Sequence, residues 1–499
     1  MREHVPILLD VFNGLYDRGD VEETPLDAFS ECLNIKFVGE KTFGTRDGIG
    51  RHQNVASPIS NILRIYNYPT VDKNTLLVLT KDGKIYHIVD STTIYGPILT
   101  ISSMIDFGFV PYAGRAYITP FFTETVGELA RERGIQSEFL YVYKGDGTSA
   151  RKAAGSTPSG TLVCANGAAG YTEAGDHVFA VVGETDTGYL SAPCAKVKFT
   201  TGAANSVSFS SIPLFTGSQW TKRHIVATKV IQSYTGNVSG YQFLFIPGAL
   251  INNNTATTLA NISFYDADLL LDASHLNYNF DSIPAGVGLT VYRGRLIIYC
   301  TYTDISLAYA SSVGEPEAIS MIDSVLLVPP DGNPLTNAAE LRDVLYLFKR
   351  NKTVAFIDNG DIPASWPMTV IDNAMGCGVH GIATVLDAGS SNIDYLIVGS
   401  FKGITLFNGR YILPELSWKI QNFWTQQDFK SGFRRIQMVN DSLKQELYCV
   451  TTDRNVLMGN YANGMDPKRI RWSPWSFDTK VNSLALINVN DLILGCDQV

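Results

Sequence analysis

Apolar residues recur along this chain in short alternating runs, each followed by a polar turn and then a second run. In NTLLVLTKDGKIYHIVD (74–90), Leu77 and Leu79 and then Ile85, His87 and Val89 alternate with their neighbours on either side of Lys81-Asp82-Gly83. Alternation of period two predicts half-buried strands, and Asp-Gly supplies the positive φ that a tight hairpin turn requires. Further units of this kind are GRAYITPFF with EFLYVYKGDG, VYRGRLIIYCTYTDISLAYAS (291–311) and DVLYLFKRNKTVAFIDNG (343–360). DYLIVGSFKGITLFNGR (394–410), QELYCVTTDRNVLMGNY (445–461) and a closing half-unit, SLALINVNDLILGCDQV, follow. From the third unit on, the period is about 45 to 55 residues, which suits four-stranded blades around an axis. The pattern therefore predicts an all-β chain built as a β-propeller of six to eight blades, seven favoured. The last blade ends early, and its missing strand is expected from the N-terminal region around TRDGIGRHQNVAS (45–57).

One stretch breaks the rhythm. After the small-residue linker AAGSTPSGTLVCANGAAG come GDHVFAVVGETDTGYLSAP, AKVKFTT, SVSFSSIP, KRHIVATKV, YQFLFIPGAL and TTLANISFYD. Short strands with a turn every eight to twelve residues predict a β-sandwich of immunoglobulin or fibronectin III type, inserted in a blade loop. The expected organisation is residues 1–159 for an N-terminal segment and the first blades, 160–275 for the sandwich and 276–499 for the remaining blades. Two short helices are expected on the surface. They are VGELARER (126–133) and TNAAELRD (336–343), where Asn337 would cap and Glu340 would complete a capping box.

Composition narrows the function. The 499 residues carry 45% hydrophobic and 17% charged side chains, enough apolar surface for a large core. A net charge of −9 argues against holding nucleic acid by phosphate neutralisation, but not against letting nucleic acid slide past, since an acidic wall repels phosphate. No apolar run exceeds strand length, so neither a signal peptide nor a membrane span is expected. The seven cysteines stand singly, without CxxC spacing, and read as buried free thiols.

Chemical motifs are few. Gly376-Cys377-Gly378-Val379-His380-Gly381 matches G-x-G-x-x-G, but the strand-like GIATVLD follows where a phosphate-binding helix should, so the glycines read as inter-blade packing. His87 and His380 read as hydrogen-bonded structural residues, and no two of the seven histidines stand at ligand spacing. DAGSSNID (387–394) reads as a solvated turn rather than a calcium loop, and Glu22-Glu23 cannot be assigned to acid–base work. Trp366, Trp472 and Trp475 read as fillers of bulky turns. No catalytic, cofactor-binding or metal-binding residue is expected, no cofactor is implied, and the chain is not expected to be an enzyme.

The opening FNGLYDRGDVEETPLDAFSECLNIKF, with GTRDGIG after it, resembles the start of many phage tail proteins. The matching residues are Gly14-Leu15, Thr24-Pro25-Leu26, Ala28, Leu33-Asn34 and Arg46-Asp47-Gly48. GDHVFAVVGETDTGYLSAP with KRHIVATKV, and GCGVHGIATVLDAGSSNIDYLIVGSFKGITLFNG, also resemble that family, in the same order along the chain. The family is that of the nozzle, or tail tubular protein B, of short-tailed phages. The resemblance implies a virion structural protein of the bacteriophage tail, made in the host cytoplasm. It implies a homo-oligomeric ring, a hexamer, around the DNA exit channel. The ring would retain the genome and serve DNA ejection, that is, viral genome delivery. Implied partners are a portal adaptor or head-completion protein, tail fibre or tailspike proteins, and double-stranded DNA passing without sequence-specific binding. In that setting Arg18-Gly19-Asp20 is a turn and not an adhesion ligand. The alternatives are a receptor- or glycan-binding propeller of the virion, or a propeller glycosidase, although no Ser-x-Asp-x-Gly-x-Thr-Trp box is present.

Overall fold

The computed structural model describes residues 14–18, 25, 28–29, 31–38, 42–46, 50, 52–53, 59–102, 104–122, 140–154, 160–231, 242–270, 283–301, 304–378, 380–386, 393–427, 437–487 and 491–497. Six four-stranded antiparallel sheets follow one another, each with its strands in chain order. Their innermost strands are Ile62–Pro69, Met104–Tyr112, Gly286–Tyr292, Leu335–Leu341, Ile382–Leu386 and Met438–Asp441. A seventh sheet has two strands, Val481–Ile487 and Asp491–Cys496. Each sheet leads straight to the next, except that a large insertion separates blades 2 and 3.

A lone twisted sheet leaves both faces wet, so each blade buries its faces on its neighbours. Tyr68, Leu77, Leu79 and Ile85 of blade 1 meet Phe107, Ala116, Ile118 and Tyr143 of blade 2. Phe121 of blade 2 meets Val287 of blade 3, which shares a core with Leu335, Leu345 and Leu347 of blade 4. Cores of the same kind join blades 4 and 5, 5 and 6, and 6 and 7. Ile62, Ile65, Leu76 and Val78 then pack on Ala485 and Ile487, which joins blade 7 to blade 1 and closes the circle. Seven interfaces among seven sheets make a closed seven-bladed β-propeller.

The strand exchange expected from 45–57 falls largely outside the described residues, and closure is seen as blade 7 against blade 1. Blade 7 lies beside blade 1 and is pinned to it by side chains. Asn482 Nδ2 donates to Ile62 O at 2.8 Å, Ser483 Oγ accepts from Ile65 N at 2.8 Å, and Lys81 meets Asp497 at 2.8 Å. The described N-terminal residues dock on the outer strand of blade 6, Arg471–Trp475. Leu15 N bonds Trp472 O, Asn34 N bonds Pro474 O, and Trp475 Nε1 donates to Ile35 O. Gly14 has φ +74, and a Cβ there would lie 2.8 Å from the backbone of Trp472. Asn34 Oδ1 accepts from Arg46 Nε at 3.2 Å and from Ser476 N at 2.9 Å, while Arg46 Nη2 donates to Ser476 O and its guanidinium covers the Phe477 ring at 4.3 Å. Arg46→Ala should therefore cost about 1–3 kcal/mol, seen as a lower urea midpoint and faster proteolytic loss of the N-terminal segment.

Residues 336–343 are not helical. Leu335–Leu341 is the innermost strand of blade 4, and Arg342 and Asp343, at φ 51° and 61°, turn it into Val344–Lys349. The Asn337…Glu340 pair and the Ala-Ala-Glu-Leu run favour a helix locally. Burial of Leu335, Thr336, Ala338, Ala339 and Leu341 between blades outweighs that preference. Residues 126–133 lie outside the described residues.

The insertion follows the last strand of blade 2 and precedes the first of blade 3, so it lies between blades rather than in a blade loop. Its described strands form one sheet of three and one of four. Phe179 of the larger sheet meets Phe209 of the smaller edge-on at 5.3 Å, inside a core that also includes Val181, Val207, Ile225 and Leu244. That core continues into Tyr117 of blade 2 and Leu296 of blade 3. A charged knot fastens the same junction. Glu317, fully buried, accepts from Arg151 Nη2 at 2.8 Å, Ala154 N at 2.6 Å and Thr187 Oγ1 at 2.6 Å. Asp186 pairs with Arg115 and Lys144, each at 2.9 Å, and with Arg151.

Candidate functional site: a polar belt across the propeller axis

The seven innermost strands surround an axial cavity of about 830 Å³. Near the start of these strands, most blades place a polar residue where an apolar one would be expected. In four of them a β-bulge does this. The ladder slips between Ile62 and Arg64, Met104 and Asp106, Leu335 and Asn337, and Val481 and Ser483. An extra residue before the third position re-aims that side chain, so Arg64, Asp106, Asn337 and Ser483 occupy matching places in four blades. Blades 5 and 6 contribute His380 and Gln437 from the segments leading into their inner strands. Blade 3 has Gly288 at this level, and Tyr299 comes through the gap. A Cβ on Gly288 would lie 2.0 Å from the Tyr299 hydroxyl.

Five of these side chains, Arg64, Asp106, His380, Gln437 and Ser483, are linked across the axis, while Asn337 Nδ2 donates to Gly378 O at 3.2 Å on the neighbouring connector. Arg64 holds Asp106 through two bonds, Nε to Oδ1 at 2.8 Å and Nη2 to Oδ2 at 2.7 Å, with both side chains about 4% exposed. His380, from blade 5 on the other side of the ring, places Nε2 2.8 Å from Asp106 Oδ2 and Nδ1 2.9 Å from the Tyr66 hydroxyl. Gln437 Oε1 accepts from Arg64 Nη1 at 3.2 Å, Ser483 Oγ at 2.5 Å and Leu484 N at 3.0 Å, tying blades 6, 7 and 1 together. Burial raises the cost of charge on Asp106, but Arg64 and His380 outweigh it and hold the carboxyl well below the usual carboxylate range. The bridging closes the axis at this level. A duplex, whose major groove alone is ~12 Å wide, cannot thread a single subunit.

Of the residues weighed from sequence, two lie in this site, Asn337, which was read as a helix cap, and His380. His380 was read as a structural residue, and it is hydrogen-bonded as expected but lies at the centre of the belt. His87 bonds Tyr143 and Thr75, and burial lowers its pKa to about 4, so it stays neutral. The glycine-rich element serves packing, as read. Cys377 N bonds Lys349 O at 2.9 Å and Gly378 N bonds Gly399 O at 2.8 Å, joining blades 4 and 5. Trp366, Trp472 and Trp475 are buried, and their indole nitrogens donate to Asp361 O, Leu416 O and Ile35 O, which leaves no face for a sugar. Arg18 lies over the Trp418 ring at 4.1 Å, while Gly19, Asp20, Glu22, Glu23 and residues 387–392 lie outside the described residues. All seven cysteines are free. Among the described residues no group of histidine, cysteine and acidic side chains is placed to hold a metal ion, and no helix is long and apolar enough to cross a membrane.

No family model matches the chain, and no curated protein matches it. Solved structures of similar shape include BamB from Moraxella catarrhalis, at 9% identity and TM-score 0.31, covering 88% of this chain and 83% of that one. Apo AztD from Citrobacter koseri has 9% identity and TM-score 0.34, covering 88% and 90%. The WD40 domain of SCAP from fission yeast has 10% identity and TM-score 0.33, covering 89% and 95%.

Proposed function

We propose that this chain is a structural subunit of a phage tail, nozzle-like, which assembles with copies of itself into a ring around the DNA exit channel. In that role it retains the genome, releases it on infection, and docks an adaptor on one side and fibre proteins on the other. The observation that carries the reading is what the motif residues do. Gly14-Leu15, Asn34 and Arg46 clasp the N-terminal segment to blade 6, and the Gly376–Gly381 element joins blades 4 and 5. Residues that recur in order in tail proteins are here determinants of architecture, as a structural part requires. The closed axis also bears on the DNA path, since a duplex has to run between subunits rather than through one. Acidic walls, from a chain of net charge −9, keep such a path from gripping phosphate. Electron microscopy of the purified protein, alone and with tails, tests this. Closed rings of about six subunits are expected, and monomers under all conditions would overturn it.

One observation favours a receptor- or glycan-binding role as the second reading. Tyr171 and Tyr265, each 51% exposed, stand 5.1 Å apart at one end of the insertion. Paired exposed tyrosines can stack on a sugar face. Glycan-array binding that is lost in the Tyr171→Ala, Tyr265→Ala double variant would select this reading.

A further inference from the structure

The belt fixes a proton. Phe107 is fully buried on the innermost strand of blade 2, and both of its backbone groups are bonded by side chains of the belt. Its N–H donates to Asp106 Oδ1 at 2.8 Å, and its carbonyl accepts from the Tyr66 hydroxyl at 2.9 Å. Tyr66 has one hydroxyl proton, and that proton is committed to Phe107 O, which would otherwise be a buried carbonyl without its donor. Toward His380 Nδ1, 2.9 Å away, Tyr66 can then only accept, so Nδ1 must carry a hydrogen. On the other side of the ring, Nε2 faces Asp106 Oδ2 at 2.8 Å. A carboxylate oxygen accepts, so Nε2 must carry a hydrogen as well. Asp106 thereby receives four donors, Arg64 Nε, Arg64 Nη2, Phe107 N and His380 Nε2, which fills its acceptor sites.

We infer that His380 is held as the doubly protonated imidazolium and acts as a proton-locked strut across the axis, joining blade 5 to blades 1 and 2, so that the ring is tightest when this proton is in place. Removing the proton leaves two arrangements, and both lose a bond. Either Tyr66 turns its hydrogen to Nδ1 and abandons Phe107 O, or two lone pairs face each other at 2.9 Å. The groups around His380 set the charge balance. Arg64 and Tyr66 come from blade 1, Asp106 from blade 2, Tyr299 from blade 3 and the neutral Asn337 from blade 4, with Cys377 on the same connector and the neutral Gln437 and Met438 on blade 6. Glu340, at the far end of the blade-4 strand, lies toward Asp343 and Arg293. Arg64 and Asp106 cancel, and the imidazolium is the third charge. Backbone strain marks the same residue, since His380 sits at φ +61, a region costly for a residue with a Cβ.

The sign of the pH effect follows. An unfolded histidine loses its proton near pH 6.5, whereas the strut keeps it in the fold. Below that pH both states are protonated and the contribution is complete. Above it the folded state holds one proton more than the unfolded one, so stability falls with rising pH until the folded state also releases the proton. The unfolding constant should rise up to tenfold per pH unit in that window.

The test is nitrogen NMR of the full chain labelled with ¹⁵N-histidine, with His380 assigned by its loss in His380→Gln. Both ring nitrogens should show protonated shifts at pH 7.5. In Tyr66→Phe, Phe107 O loses its donor and Nδ1 its acceptor, so the same residue should release its proton at lower pH. Urea unfolding from pH 6 to 9 should show a steeper loss in the wild type than in His380→Gln. A wild type in which no histidine has both ring nitrogens protonated at pH 7.5 would overturn the inference, whether or not the variants fold. So would a Tyr66→Phe titration identical to the wild type.

Discussion

Glu317→Ala should be among the most damaging single changes in this chain, lowering stability by about 3–5 kcal/mol. Glu317 is fully buried and takes hydrogen bonds from two Arg151 nitrogens, the amide of Ala154 and the hydroxyl of Thr187. Its removal leaves Arg151 buried against Asp186, which Arg115 and Lys144 already neutralise. Three cations would then face one anion at a junction shared by blade 2, blade 3 and the insertion. Losing an acid from a buried ionic cluster costs more than the bond it made, because the stranded charge keeps its desolvation penalty. Glu317→Gln preserves shape and two acceptor sites and should cost less, about half. Urea unfolding of the three proteins checks the order. Limited proteolysis should also show the alanine variant cut first at the edges of the insertion, where the knot holds. Equal midpoints for wild type and Glu317→Ala would mean that the packing around Tyr117 and Leu296 fixes this junction unaided.

Hairpins were legible in the sequence where turn chemistry was explicit. Lys81-Asp82-Gly83 is a turn with Gly83 at φ +75, between strands Asn74–Thr80 and Lys84–Ile88. The turn at Arg342-Asp343 has no glycine, and both residues take positive φ because the ladder on either side demands it, so a local reading preferred a helix there. The ring itself could be read from the period of the hairpins. The pins that tie blades 6 and 7 to blade 1 could not, because Asn482, Ser483 and Gln437 are polar residues whose partners lie hundreds of positions away. The belt was hidden for the same reason. A signal existed in ILRIY and MIDFGF, where one charge interrupts an apolar strand run. A lone Arg64 and a lone Asp106 inside core strands call for partners. Only the bulges, which no local pattern announces, bring those partners into one layer.

Gly376→Ala should be the other severe change, costing ~3 kcal/mol or more and leaving little soluble folded protein. A Cβ at this position would lie 1.9 Å from Lys349 O and 2.6 Å from the carbonyl carbon of Arg350. Both are backbone atoms at the end of the second strand of blade 4, and Lys349 O already accepts from Cys377 N at 2.9 Å. Relief would have to break that bond and move the connector. The connector cannot move freely, because Gly378 N is bonded to Gly399 O and Thr336 Oγ1 donates to Cys377 O at 2.7 Å. The strain would pass along four residues to His380 and pull it from Asp106. A phosphate-binding loop predicts something else, since there the glycines serve the ligand and an alanine lowers affinity while the fold survives. Thermal unfolding of the wild type with and without NAD or ATP, beside that of Gly376→Ala alone, separates the two cases. The expected result is no stabilisation by either nucleotide and a collapse of the alanine variant. A folded Gly376→Ala protein beside a nucleotide-stabilised wild type would show that this close approach of two blades was built for a ligand.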